Sequence, residues 1–163
     1  LTHSPSAPPS QALRQYQRSQ GSVLGRWRFA RESRLRTPLM STLQPLFSEL
    51  RVGLCRTEMQ PHRRVCSPDG AIDPMAISAL AQLTATMVIE VSVPDGLGWT
   101  TRGLTIEHLR RVESTVLALA RFDRTDWGEG GLVGVPVTIN EVGGPEVARA
   151  VVSFAVAMRI DSR

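Results

Sequence analysis

The stretch DPMAISALAQLTATMVIEV, residues 73–91, decides how the rest of the chain is read. Asp73 followed by Pro74 is a helix start: a carboxylate accepts from the first free amides, and proline's fixed φ and missing N–H suit the first turn. From Pro74 to about Val91 apolar residues fall on nearly every face, so the spacing predicts a helix that protein must enclose on most sides. Pro94-Asp95-Gly96 breaks it. Gln82, Thr84, Thr86, Glu90 and Ser92 load the segment with polar groups that a lipid-facing span of about twenty residues rarely tolerates. The sequence therefore reads as that of a soluble protein.

Outward from that helix the pattern changes to a period of two. Upstream, Glu49 to Gln60 alternates with Leu50, Val52 and Leu54 on one face, which predicts one strand closing at Pro61-His62. Before it, Thr37-Pro38 is a second cap-plus-proline start, of a short helix that Pro45 interrupts or ends. Downstream, four strands follow at hairpin spacing: Trp99 to Arg111 with Leu104 and Ile106 inward, Ser114 to Asp123, Leu132 to Val142, and Val147 to Ile160. In the last two, Val133, Val135, Val137 and Ile139, then Val152, Phe154, Val156 and Met158, share a face. Such alternation marks an antiparallel sheet with one buried face. One greasy helix enclosed by a five-stranded antiparallel sheet is an α+β arrangement.

At 163 residues, with 42% hydrophobic and 21% charged side chains, the chain suits one domain and excludes global disorder and fibrous folds. Its charge is unevenly placed. Residues 1–36 carry seven Arg and one Glu, whereas residues 37–163 carry twelve Arg against fourteen acids. This divides the chain into an Arg-rich extension, 1–36, partly disordered or helical, and a domain over 37–163. All nineteen basic residues are Arg, a bias that GC-rich, bacterial-type codon usage gives before function does. The extension's aromatics, Tyr16, Trp27 and Phe29, are too few for a stacking platform, so nucleic acid is not the expected partner, nor is a membrane. Its composition also imitates an organelle transit peptide, but nothing else argues for export, and the expected location is the cytoplasm.

Cys55 and Cys66 match no redox or zinc spacing and read as free thiols in a reducing compartment. Asp123, Asp126 and Glu129 around Trp127 lack metal-ligand spacing. Gly128, Gly130 and Gly131 lie between strands instead of opening a helix, so no phosphate cradle is expected. Neither a metal nor a cofactor is implied.

The order strand, long buried helix, four strands resembles the hotdog fold. The strings PLFSELRV (45–52), PHRRV (61–65) and RGLTIEHLRR (102–111) are similar to one thioesterase-related hotdog branch of largely unassigned function, over about Thr37 to Ile160. In thioesterases of this kind, a Gly-x-x-His-Gly or Gly-x-x-His-Ala segment leads into the enclosed helix. The amide after the His polarises the thioester carbonyl. An acid about nine residues later, often supplied across a dimer interface, is nucleophile or general base.

Laid on that pattern, Gly70 matches, Asp73 stands at the His position, Pro74 stands where the amide donor belongs and has no N–H, and Gln82 stands in place of the acid. The string ALAQ (79–82) also resembles acyl-carrier-protein dehydratases, but their acid position falls on Ser78 and their paired His is not evident.

The resemblance implies Asp73 as candidate base, or as helix cap alone, and Gln82 as the residue orienting water or substrate. Gly70 and the Met75 N–H are candidate substrate contacts. His108 shares parity with Leu104 and Ile106, which points it to the cavity or into packing. Arg110 and Arg111 are candidate phosphate grips near a pantetheine arm, or a solvated strand end.

The implied activity is hydrolysis of an acyl thioester on coenzyme A or acyl-carrier protein, with an atypical site. Alternatives are a dehydratase, isomerase or cyclase acting on a carrier- or CoA-bound acyl or polyketide chain, and a non-catalytic acyl- or partner-binding domain. A sheet that leaves edges and a helix flank uncovered implies a homodimer.

Overall fold

The computed structural model describes residues 38–158, apart from 124–126 and 129. The Arg-rich extension 1–36, the loop residues Asp126 and Glu129, and the expected strand end at Ile160 lie outside the described residues.

A short helix α1 (Pro38–Leu43) precedes strands β1 (Leu46–Arg51) and β2 (Leu54–Met59). The long helix α2 (Pro74–Ser92) follows, then β3 (Leu97–His108), β4 (Val116–Arg121), β5 (Gly131–Glu141) and β6 (Glu146–Met158). The strands form one sheet in the order β1-β2-β4-β5-β6-β3, with every neighbouring pair antiparallel. It wraps α2, which buries Ile77, Leu80, Ala81, Ala85, Met87, Val88, Ile89 and Val91. This is the expected α+β arrangement of an antiparallel sheet around one long helix. By length and composition α2 could cross a membrane, yet more than half of its apolar window is buried inside the fold, as in a core helix.

Among the described residues the sheet has six strands, one more than the period-two pattern implied. Glu49 to Gln60 is not a single strand but the hairpin β1-β2, in which Leu50 pairs with Cys55. The break falls at Gly53, whose φ of +76° suits glycine. A Cβ there would lie 2.7 Å from the Phe122 carbonyl oxygen. Gly53 instead accepts a hydrogen bond from the Phe122 amide (2.8 Å) and donates to Ser92 Oγ (2.9 Å), tying the turn to β4 and to the end of α2. Val52, expected inward with Leu50 and Leu54, is therefore 55% exposed. Apolar alternation ran unbroken through the turn and concealed it.

β5 and β6 follow the expected parity, with Val133, Val135, Val137, Ile139, Val152, Phe154 and Val156 all buried. Met158 departs from it and is 68% exposed. The β4–β5 ladder runs from Val116↔Glu141 to Ala120↔Val137 and stops one residue short of Pro136, which has no amide to offer. Beyond that point β5 pairs with β6 alone. Among the described residues β3, twelve residues long, is an edge of the sheet.

One polar pair is sealed in the core. Thr57 Oγ1 and Thr84 Oγ1 lie 2.5 Å apart, both side chains fully buried, and Thr84 donates to the Leu80 carbonyl (2.7 Å). Thr57 must then donate to Thr84, which makes the two replacements unequal. Thr84→Val strands the Thr57 hydroxyl and is expected to cost about 1–3 kcal/mol, whereas Thr57→Val leaves Thr84 satisfied and is expected to be nearly neutral. Urea denaturation of both variants checks this; equal losses would refute the donor order.

Candidate functional site

The site is built where the loop after β2 enters α2. Asp73 is the N-cap: its Oδ1 accepts from the Met75 amide at 2.7 Å, while Pro74 takes the first turn. Oδ2 accepts from the Ser67 hydroxyl at 3.2 Å, so the carboxylate fastens both the helix and the loop before it. The loop is held on two further sides, by the Asp73 amide on the Val65 carbonyl and the Ile72 amide on the Val112 carbonyl, both 2.8 Å. The segment after β3 thereby lies across from the helix start.

Between them is a groove of about 390 Å³. Ala71, Ile72, Pro74, Ile77 and Leu109 provide its apolar wall, and Ser67, Asp69, His108, Arg110 and Arg111 its polar one. His108 Nε2 lies 3.4 Å from Ser78 Oγ, whose hydroxyl donates to the Pro74 carbonyl at 2.9 Å.

The two arginines differ in what they touch. Arg111 bridges Asp69 Oδ2 and Glu113 Oε1, each at 2.8 Å, and donates to the Asp69 carbonyl. Arg110 is exposed on the groove wall with no ion pair among the described residues. Arg111 thus braces the loop, while Arg110 presents a guanidinium to whatever enters.

Of the residues nominated from sequence, the structure gathers His108, Arg110 and Arg111 on this groove, and Asp73 adjoins it through its bond to Ser67 without lining it. It does not bring Gln82 there. Gln82 is exposed on α2, about 13 Å along the axis from Asp73 at 1.5 Å per residue. Nor does the Met75 amide face the groove unengaged, since Asp73 takes it, and the Met75 side chain is 77% exposed. The Gly70 amide donates to the Ser67 carbonyl (3.0 Å). Sequence reading missed the Ser67 contact to Asp73, the pairing of Ser78 with His108, and the apolar wall of Ile72, Ile77 and Leu109. His108's parity in β3 was the one available signal for the second of these.

Cys55 and Cys66 are both free, and Cys55 is buried. Burial, reinforced by the Glu49 carboxylate, pushes the Cys55 thiol well above the ordinary thiol range, so it stays protonated and inert. No cluster of three or more His, Cys, Asp or Glu that could hold a metal occurs among the described residues.

Sheet, enclosed helix and element order together define a hotdog fold. The chain belongs to the family described as "Domain of unknown function (DUF4442)", matched over residues 25–156. Among solved structures it is similar to the crystal structure described as genomics APC5556, with a TM-score of 0.79 and 26% identity over 91% of this chain and 98% of the other. Thioesterase HI1161 from Haemophilus influenzae matches with a TM-score of 0.66 and 18% identity, over 76% of this chain and 85% of that one. A mutant form of thioesterase PA1618 from Pseudomonas aeruginosa matches at 0.69 and 19%, over 86% and 97%. At such identities the last two share the fold. No curated protein matches the chain.

Proposed function

We propose that the chain hydrolyses acyl thioesters carried on coenzyme A or an acyl-carrier protein. The observation that carries this reading is the groove at the start of α2, with an apolar wall for an acyl group and with Ser67, which lines it, hydrogen-bonded to the Asp73 carboxylate just behind. Asp73 accepts a proton from the attacking water. Each of its oxygens already accepts one hydrogen bond and retains a lone pair for another. Arg110 meets a phosphate of the carrier arm.

Gln82 acts from a second copy. Among the described residues α2 leaves a stripe with Met75 and Gln82 exposed and Ala79, Leu83 and Thr86 half-buried, and β3 is an edge strand over twelve residues. Edge-to-edge pairing of β3 in a homodimer covers both. The cytoplasm, whose thiols stay reduced, suits two free cysteines.

Release of free thiol from short, medium, long and aromatic acyl-CoAs, measured beside Asp73→Asn and Gln82→Ala, tests the reading, with light scattering for twice the chain mass. Asp73→Asn is expected to abolish turnover and Gln82→Ala to weaken it. A second reading, binding without turnover, is favoured by the capping role of Asp73. Calorimetric binding of acyl-CoA with no hydrolysis of any thioester would establish it in place of the first.

A further inference from the structure

Thioester hydrolysis places a negative charge on the carbonyl oxygen as water adds, and a site that speeds it must aim a hydrogen-bond donor there. The backbone at the start of α2, where the donor is expected, does not supply one. Pro74 has no N–H, and the Met75 amide is held by Asp73 Oδ1. The amides of Ile72, Leu109 and Arg110 are spent on the Val112 and Val147 carbonyls, and that of Ala71 on Asp69 Oδ1. The Ser67 hydroxyl is turned to Asp73 and the Arg111 guanidinium to Asp69 and Glu113.

His108 remains. Ser78 has one hydroxyl proton and gives it to the Pro74 carbonyl at 2.9 Å, so toward His108 its oxygen can only accept. That contact is made when the Nε2 of His108 carries the proton. Its contact to Ser78 is 3.4 Å, longer than a good hydrogen bond, and the ring lies on the groove wall.

We infer that the His108 Nε2–H is the donor that stabilises the oxyanion, taking the place of the amide that Pro74 lacks. The inference rests on the hydrolytic reading above and assigns its missing electrophilic group. Water oxygen bonds to the carbonyl carbon as its proton passes to Asp73. The carbonyl π pair moves to oxygen, where His108 Nε2–H meets it in place of Ser78. Collapse re-forms the C=O bond and breaks the C–S bond, and the departing thiolate takes the proton from Asp73. His108 donates a hydrogen bond throughout and transfers no proton.

Two readouts test this on the full chain: steady-state hydrolysis of the best acyl-CoA, and the infrared carbonyl stretch of a bound acyl-CoA analogue in which CH₂ replaces the thioester sulfur. His108→Phe is expected to lower kcat about 10²-fold, the usual loss of one oxyanion donor, with KM little changed. His108→Gln, whose amide restores an N–H near the Nε2 position, is expected to recover most of that loss. The stretch should fall on binding to the wild type and to His108→Gln, but not to His108→Phe.

Wild-type kcat and an unaltered stretch in His108→Phe would overturn the assignment. So would a His108→Gln variant as slow as His108→Phe, since that marks a base and not a donor. If no thioester is hydrolysed yet the shift vanishes only in His108→Phe, hydrolysis falls and the donor stands. Failure of the analogue to bind removes both.

Discussion

Asp73→Asn is expected to leave the fold intact and to remove turnover. Asn caps helices as well as Asp does, so its side-chain oxygen keeps the Met75 amide and stability should change by less than about 0.5 kcal/mol. What the amide cannot do is take a proton from water. Loss of a general base costs roughly 10²–10⁴-fold, and thiol release should fall by that factor. Asp73→Ala gives the contrast, losing the same turnover plus about 1 kcal/mol of stability for the missing cap. An Asn variant that hydrolyses acyl-CoA at the wild-type rate would reduce Asp73 to a cap and leave the groove without its proton acceptor.

The largest loss of stability is expected from Phe154→Ala. Phe154 is fully buried near the middle of β6, paired with Val133 on one side and Thr101 on the other, and it meets the Trp99 ring edge-on at a centroid distance of 5.7 Å. Truncation removes that contact and leaves a cavity, at a cost of about 3–5 kcal/mol. For a domain of this size that lowers Tm by roughly 10 °C or more. Val151→Ala, three residues back on the opposite face and 46% exposed, should stay within about 0.5 kcal/mol. Thermal unfolding of the pair settles the matter. Comparable losses would mean that the sheet's outer face is also covered.

That contrast shows how much of the fold is legible in the sequence. A strand with one wet face writes its burial in alternate residues, so β5 and β6 could be read almost residue by residue. α2 could be read because an apolar helix flanked by a cap and a proline has few other interpretations. The β1-β2 turn could not. Leu50, Val52 and Leu54 keep the alternation through it, and the demand for glycine at 53 comes from the Phe122 carbonyl, nearly seventy positions away. Met158 fails for a related reason, since parity sets a side chain's direction but not what waits there.

The site divides the same way. Asp73 and Pro74 announce a helix start locally. The pairing of His108 with Ser78 and the different duties of Arg110 and Arg111 depend on which loop lies across the groove, and thirty or more positions separate those partners.

The place of β6 in the sheet also bears on how the protein comes into being. It lies between β5, which immediately precedes it, and β3, whose Leu97 pairs with Met158. As the chain leaves the ribosome, β3 emerges well before the strand that joins it to the rest of the sheet. Until β6 arrives, β3 has no place in the sheet and part of the apolar surface of α2 stays bare. Closure of the sheet therefore waits on β6, and the pairing that completes it joins segments about fifty positions apart.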